Sequence, residues 1–161
     1  LFKHFYSPML RLCMRYAGTT GEAEDMLSEG FLKVFSNLDK YEETGSFESW
    51  MKRVMVNAAL DHRRKYDPKV ATTDIEEVVD STEIGYDLNT AVGRMSAEEV
   101  VALIQLLPPM TRTVFNLFVF EGFSHAEIAQ QLNMSEGTSA WHVNAARTRL
   151  KNEIYKRNSE I

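Results

Sequence analysis

The sequence predicts an all-α protein of two small helical domains joined by a flexible acidic linker. Apolar residues recur three and four positions apart over residues 1–66 and again over residues 96–161, which is the spacing of amphipathic helices. The intervening residues 67–95 are acidic and show no sustained periodicity. No segment has the convincing alternation of a strand. We therefore expect helical domains over 1–66 and 96–161, with a linker over 67–95.

Three helices are predicted in the first domain. The first covers about residues 5–16, and the glycine and threonine residues at 18–21 end it. Acidic residues then stand at the start of the second helix, where they complement the helix dipole, and its apolar stripe covers 26–38. A polar loop at 37–46 leads to the third helix, over about 47–65, in which Phe47 and Trp50 are expected to join the core.

The second domain opens with a helix-start signal. Ser96 and the acidic residue three positions later, Glu99, form a predicted capping box, followed by a helix to about Leu107. Pro108 and Pro109 end that helix. A strongly apolar helix is predicted over 111–120.

Residues 123–138 have the pattern of a helix-turn-helix. Ser124 and Glu127 form another predicted capping box, and Ser135 is positioned to cap the next helix after a turn at Asn133. The second helix of such a motif normally lies in the DNA major groove. The motif therefore predicts DNA as a partner.

The charge distribution is compatible with this partner although the net charge is −5. Residues 67–98 carry a net charge of −6, whereas residues 1–66 carry +1 and residues 99–161 are neutral. Residues 139–157, in the predicted recognition helix, carry +4. Local charge controls contact with phosphates. Since neither domain is strongly basic, we expect weak DNA binding by the isolated chain.

No catalytic or metal-binding arrangement is apparent in the sequence. The four histidines are scattered and have no zinc-ligand spacing with the single cysteine, Cys13. A phosphate-binding glycine loop and a nucleophile elbow are also missing from the sequence. We expect no enzyme activity, no metal and no cofactor, and we expect His125 to face solvent. One cysteine and the lack of a run of about 20 apolar residues predict a cytoplasmic protein without membrane insertion.

Blocks of the sequence resemble a known protein family. Residues 23–41, AEDMLSEGFLKVFSNLDKY, resemble the second conserved region of the extracytoplasmic-function (ECF, group IV) sigma factors of bacterial RNA polymerase. Residues 45–64 resemble the promoter-reading helix that follows it. Leu107-Pro-Pro and the helix-turn-helix resemble the family's fourth domain. The resemblance implies a factor that binds core polymerase and directs initiation at specific promoters.

The resemblance implies two roles for the first domain. Its candidates for binding the clamp coiled coil of polymerase are Asp25, Ser28, Glu29, Leu32, Lys33 and Phe35. Its candidates for reading and opening the minus-ten element are Tyr41, Ser46, Arg53, Asn57, Asp61, Arg63 and Arg64. An amide can form hydrogen bonds with base edges, and arginines can bind phosphates. An aromatic side chain in the loop can stack on an unstacked base. Core packing is the alternative for Phe35, and a solvated helix end is the alternative for the basic run.

For the second domain, the resemblance implies recognition of the minus-thirty-five element. The candidates are Ser139, His142, Asn144, Arg147, Arg149 and Lys151. The first three are expected to reach base edges, and the three cations are expected to reach phosphates. Residues 139–142 lack the arginine or lysine that the family often has there, which suggests an unusual upstream element or one read mostly by shape.

Further partners are implied by the same resemblance. The second domain is expected to meet the polymerase flap, and an anti-sigma factor is expected to mask the polymerase-binding surfaces. Acidic linker residues are expected to imitate a nucleic-acid backbone in the polymerase cleft, unless they only solubilise: Asp74, Glu76, Glu77, Asp80 and Glu83. The alternative function is a stand-alone helix-turn-helix regulator with an N-terminal sensor or dimerisation domain.

Overall fold

A computed structural model of the protein describes residues 2–66 and 88–160, and all regular structure within them is helical. The predicted all-α class is therefore confirmed. The chain divides into two compact units, Leu1–Val70 and Ala71–Ile161. The acidic linker residues named above lie outside the described residues. The helices are α1 (Phe2–Tyr16), α2 (Thr20–Ser36), α3 (Phe47–Tyr66), α4 (Leu88–Gly93), α5 (Ala97–Gln105), α6 (Pro109–Val119), α7 (His125–Leu132) and α8 (Glu136–Ser159).

The first unit packs α1, α2 and α3 against one another around a methionine-rich core. Gly30 of α2 faces α3, and a Cβ atom at this position would collide with the Met55 sulfur. The glycine thus allows α2 and α3 to approach closely. Burial raises the pKa of the Cys13 thiol to about 12, so this cysteine is a core residue with no thiolate at neutral pH.

The second unit follows the predicted helix starts. Both capping boxes are present, Ser96 with Glu99 at α5 and Ser124 with Glu127 at α7. Ser135 caps α8 by accepting a hydrogen bond from the Thr138 backbone N–H at 3.0 Å. Between α7 and α8, Asn133 adopts the left-handed conformation (φ 53°) that ends many helices. The helix-turn-helix prediction is confirmed in its local geometry.

Two boundaries differ from the sequence prediction. Helix α4 lies within the predicted linker, and Ala91, Val92 and Met95 pack against the core of the second unit. A segment with so few apolar positions shows no measurable periodicity, and its helix depends on packing. At α2, Thr19 is the N-cap and Gly21 already belongs to the first helical turn. Of the helices in the described ranges, none is long and apolar enough to span a membrane.

Candidate functional site

The outer face of α2 presents apolar side chains to solvent. Asp25, Ser28 and Leu32 stand three and four residues apart, which places them on one side of the helix, and all three are exposed. The exposed fraction is 67% for Leu32 and 47% for Phe35. Phe35 stacks on the buried Phe31 with ring centroids 6.1 Å apart. Phe35 therefore lies at the surface, which does not support the core alternative for this residue.

Two other residues of this face turn toward α3. The Lys33 ammonium lies 2.8 Å from an Asp61 carboxylate oxygen, and Glu29 Oε2 lies 3.4 Å from Nδ1 of the buried His62. Glu29 and Lys33 thus connect α2 to α3. The polymerase-binding candidates on α2 border the DNA-binding candidates on α3.

The solvent side of α3 carries a polar strip. Arg53 and Asn57 are four residues apart and both exposed, so their side chains are neighbours on one face. Asp61 and Arg64 extend this strip toward the end of the helix, and each side chain is 53% exposed. This arrangement brings four of the seven minus-ten candidates onto one accessible surface.

The loop before α3 is closed around an aromatic cluster. The Tyr41 hydroxyl donates to the Gly45 carbonyl at 2.6 Å. Its ring meets Phe47 edge-on at 5.2 Å and tilts against Trp50 at 5.5 Å. Ser46 is exposed directly before α3, and its hydroxyl oxygen lies 3.4 Å from a backbone N–H of the first turn. The cluster leaves Tyr41, Phe47 and Trp50 half-buried, so the expectation that Phe47 and Trp50 are core residues holds only in part.

Arg63 does not lie on this surface, which corrects its prediction as a DNA contact. Its side chain is buried, and Nε and Nη2 both donate to the Tyr16 carbonyl at 3.1 and 2.5 Å. Its Nη1 lies 3.4 Å from the Glu22 carboxylate. The last carbonyls of a helix have no partner within that helix. Arg63 supplies the donors that the end of α1 requires and is committed to that structural role.

The recognition helix α8 has one polar, accessible side. Asn144 and Arg147 are exposed, Lys151 is half-buried, and their spacing places all three on that side. Arg149 is also exposed, but it follows Arg147 by two residues. Two residues turn the direction of a side chain by about 200° around a helix. Arg149 therefore projects away from the other three candidates.

Ser139 and His142 lie inside the second unit, which corrects their prediction as base contacts. Ser139 is fully buried and His142 is 1% exposed. The Ser139 hydroxyl is 2.9 Å from Nδ1 of His125 on α7, and His142 Nδ1 is 3.0 Å from the Thr111 hydroxyl on α6. Both polar groups are satisfied within the fold. These residues hold the first turns of α8 against α6 and α7.

Comparison with known proteins identifies two matched regions along the chain. Residues 1–68 match the family model described as Sigma-70 region 2, and residues 97–150 match the model described as Sigma-70, region 4. The RNA polymerase sigma-H factor of Pseudomonas aeruginosa is 30% identical over 81% of this chain and 72% of its own length. The chain belongs to the ECF sigma factors of the sigma-70 family.

Other relatives carry the same family name. The ECF RNA polymerase sigma factor SigW of Bacillus subtilis is 29% identical to this sigma factor over 89% of the chain and 81% of its own length. SigE of Mycolicibacterium smegmatis is 29% identical over 93% of the chain, which spans 58% of that relative. A chain in the solved complex of sigma factor RpoE with anti-sigma factor NepR from Bartonella quintana is 21% identical to this one. The match covers 96% of this chain and 95% of that chain, with a TM-score of 0.46.

Sequence reasoning missed the positions of two polar residues of the sigma factor, the buried Arg112 and the half-buried His125. Arg112 is 5% exposed and donates to carbonyl oxygens at the end of α5. His125, which was expected to face solvent, stacks flat on Phe118 at 4.4 Å. Within residues 2–66 and 88–160, no group of three His, Cys, Asp or Glu residues could hold a metal ion.

The burial of His142 predicts that the stability of this sigma factor depends on pH. Burial lowers the pKa of His142 below its ordinary value of about 6.5. The unfolded chain therefore binds a proton at a higher pH than the folded protein does. The stability that neutral His142 allows is fully present above pH ~6.5 and is lost as the pH falls toward the lower folded pKa, by at most about 1.4 kcal/mol per pH unit.

Replacing His142 with asparagine is expected to remove this part of the pH dependence, because the amide is uncharged and its oxygen can accept from Thr111. The measurement is the free energy of unfolding of both proteins between pH 5.5 and 7.5. The difference between wild type and His142→Asn should change with pH below ~6.5. Two parallel curves would contradict the prediction.

Proposed function

We propose that this sigma factor binds core RNA polymerase through the outer face of α2. The observation that carries the proposal is the pair of exposed apolar side chains Leu32 and Phe35, next to the polar Asp25 and Ser28. Apolar side chains grouped at a surface and rimmed by polar ones are typical of protein interaction sites. The sigma factor relatives and the match to region 2 support polymerase as the partner.

The same unit would read the minus-ten element with the polar strip of α3 and the loop before it. Asn57 offers an amide for base edges, and Arg53 and Arg64 offer cations for phosphates. The exposed Ser46 and the half-buried Tyr41 precede this strip in the chain and would contact an unstacked base. In the second unit, Asn144, Arg147 and Lys151 would face the minus-thirty-five element, while Arg149 would meet phosphates beside it at most.

The contacts with particular parts of polymerase and with an anti-sigma factor remain predictions. Contact with the clamp coiled coil is assigned to α2, and contact with the flap to the second unit. An anti-sigma factor would cover Leu32 and Phe35, so it should compete with core polymerase for the sigma factor. We infer a cytoplasmic location, because the factor acts where the polymerase is. A stand-alone regulator is not favoured, because residues 1–68 match region 2 rather than a sensor domain.

The decisive experiment is in vitro transcription with core polymerase of the source organism and a library of promoter sequences. The full chain should produce discrete start sites that core polymerase alone does not produce. It should also bind duplex DNA weakly without polymerase. Tight, specific duplex binding by the isolated chain, without new start sites, would support the stand-alone regulator instead.

Asn57→Ala tests the assignment of the minus-ten surface. We expect about tenfold less open complex, because a good base contact contributes about 1–3 kcal/mol of discrimination. Affinity for core polymerase should stay within about twofold, since Asn57 is outside the proposed α2 surface and substitutions at such exposed sites change stability by under ~0.5 kcal/mol. The measurements are permanganate footprinting of the opened promoter and competition binding to core polymerase. Equal loss in both assays would reject the assignment.

A further inference from the structure

The Asp61 carboxylate is held between two cations at the edge of the polar strip on α3. Its Oδ2 lies 2.8 Å from the Lys33 ammonium of α2, and its Oδ1 lies 3.3 Å from Nη1 of Arg64, three residues later on α3. The exposed fractions are 53% for Asp61, 42% for Lys33 and 53% for Arg64. Each carboxylate oxygen therefore already has a positive partner.

This geometry does not suit Asp61 to a direct contact with DNA. A carboxylate can only accept hydrogen bonds, and phosphates offer it no donor and repel its charge. A base amino group that approached Asp61 would have to share its oxygens with Lys33 and Arg64, which already neutralise the carboxylate. The two ion pairs instead neutralise the carboxylate where the promoter would pass.

The ion pair with Asp61 prepares Arg64 to bind a phosphate, because it restricts the orientation of the arginine side chain. A free arginine side chain has about 2 kcal/mol of rotamer entropy to lose when it is fixed. Its guanidinium has five N–H donors in one plane, so an arginine can bond to a carboxylate and to a phosphate at the same time. An arginine that is already oriented loses less freedom when it binds.

We propose that Asp61 is a positioning residue that orients Arg64 toward a promoter phosphate and is itself anchored by Lys33. The proposal rests on the proposed function and replaces the expected contact between Asp61 and DNA. Lys33 comes from the helix assigned to polymerase, so the orientation of Arg64 is defined relative to the polymerase-binding face. Lys33 acts in this scheme through Asp61.

The test is a double-mutant cycle in the full chain assembled with core polymerase. Asp61→Asn alone should reduce open-complex formation about two- to fivefold, the range expected when an exposed ion pair is lost. In an Arg64→Gln background the same change should have no further effect, because the residue on which it acts is gone. Asp61→Glu, which keeps the charge, should restore most of the activity.

The readouts separate this role from others. Affinity for core polymerase should be unchanged, and Glu160→Gln, an exposed change of equal charge at the end of α8, is the control. An equal loss with and without Arg64 would mean that Asp61 contacts DNA directly. A gain of activity in Asp61→Asn would mean that Asp61 only repels phosphate. Unchanged activity would mean that Asp61 has no role in promoter opening. Each of these results overturns the proposal. Absence of promoter-specific transcripts from the wild-type chain would instead overturn the proposed function.

Discussion

Arg112→Ala is expected to lower the free energy of unfolding of the second unit by about 3–4 kcal/mol. The Arg112 side chain is buried, and its Nη2 donates to the Gln105 and Leu107 carbonyls at 2.9 Å each. Its Nε also lies 3.4 Å from the Ile104 carbonyl. The substitution would leave these acceptors without their donors and would open a cavity beside the core, and both changes are destabilising.

The measurement is denaturant unfolding of the full chain followed by tryptophan fluorescence. The chain has two tryptophans, so a Trp50→Phe background makes Trp141 a reporter of the second unit. Arg149→Ala is the matched control, because Arg149 is an exposed arginine and its loss should change stability by under ~0.5 kcal/mol. A loss below ~1 kcal/mol for Arg112→Ala would show that water replaces these hydrogen bonds at little cost.

Leu32→Arg is expected to weaken binding to the polymerase clamp coiled coil about 100-fold, or about 2.7 kcal/mol. Leu32 has the largest exposed fraction of the exposed large apolar residues in the described ranges, 67%. An arginine there would place a charge in an interface that buries apolar surface, and that charge would have to lose water without a partner. The fold should tolerate the change, because the side chain is already in solvent.

The control for this prediction is Tyr155→Arg. Tyr155 is 56% exposed on α8, so the change is of the same kind but lies outside the proposed surface on α2. The measurement is the dissociation constant of the full chain with the clamp coiled coil, together with the thermal unfolding midpoint of each variant. Equal binding by both variants would remove α2 from the interface, whereas a lowered midpoint for Leu32→Arg would mean that the loss came from unfolding.

Local signals in the sequence predicted the helix starts of the second unit. Ser96 with Glu99 and Ser124 with Glu127 form their reciprocal hydrogen bonds within four residues of chain. Each capping box can therefore be predicted from its local sequence alone. The same is true of Ser135 at the start of α8. Such contacts need no information about distant parts of the molecule.

Helical spacing in the sequence already indicated that Ser139, His142 and Arg63 are buried. Ser139 precedes the core residues Val143 and Ala146 by four and seven positions, and His142 precedes Ala146 by four. This spacing places both polar residues on the buried side of α8. Arg63 follows the buried Ala59 by four positions in the same way. Residue type indicated DNA contact for these three, while helical spacing indicated burial.

The sequence alone determined the helices other than α4, the caps of α5, α7 and α8, the family, and the order of the two matched regions, because these depend on neighbouring residues and on motifs of fixed spacing. Only the packing of the helices decides which polar side chains remain at the surface. Arg63 reaches a carbonyl 47 residues away, and His142 reaches a hydroxyl 31 residues away. Such partners meet only when helices associate, so the tertiary structure decides which polar side chains are buried and which stay accessible.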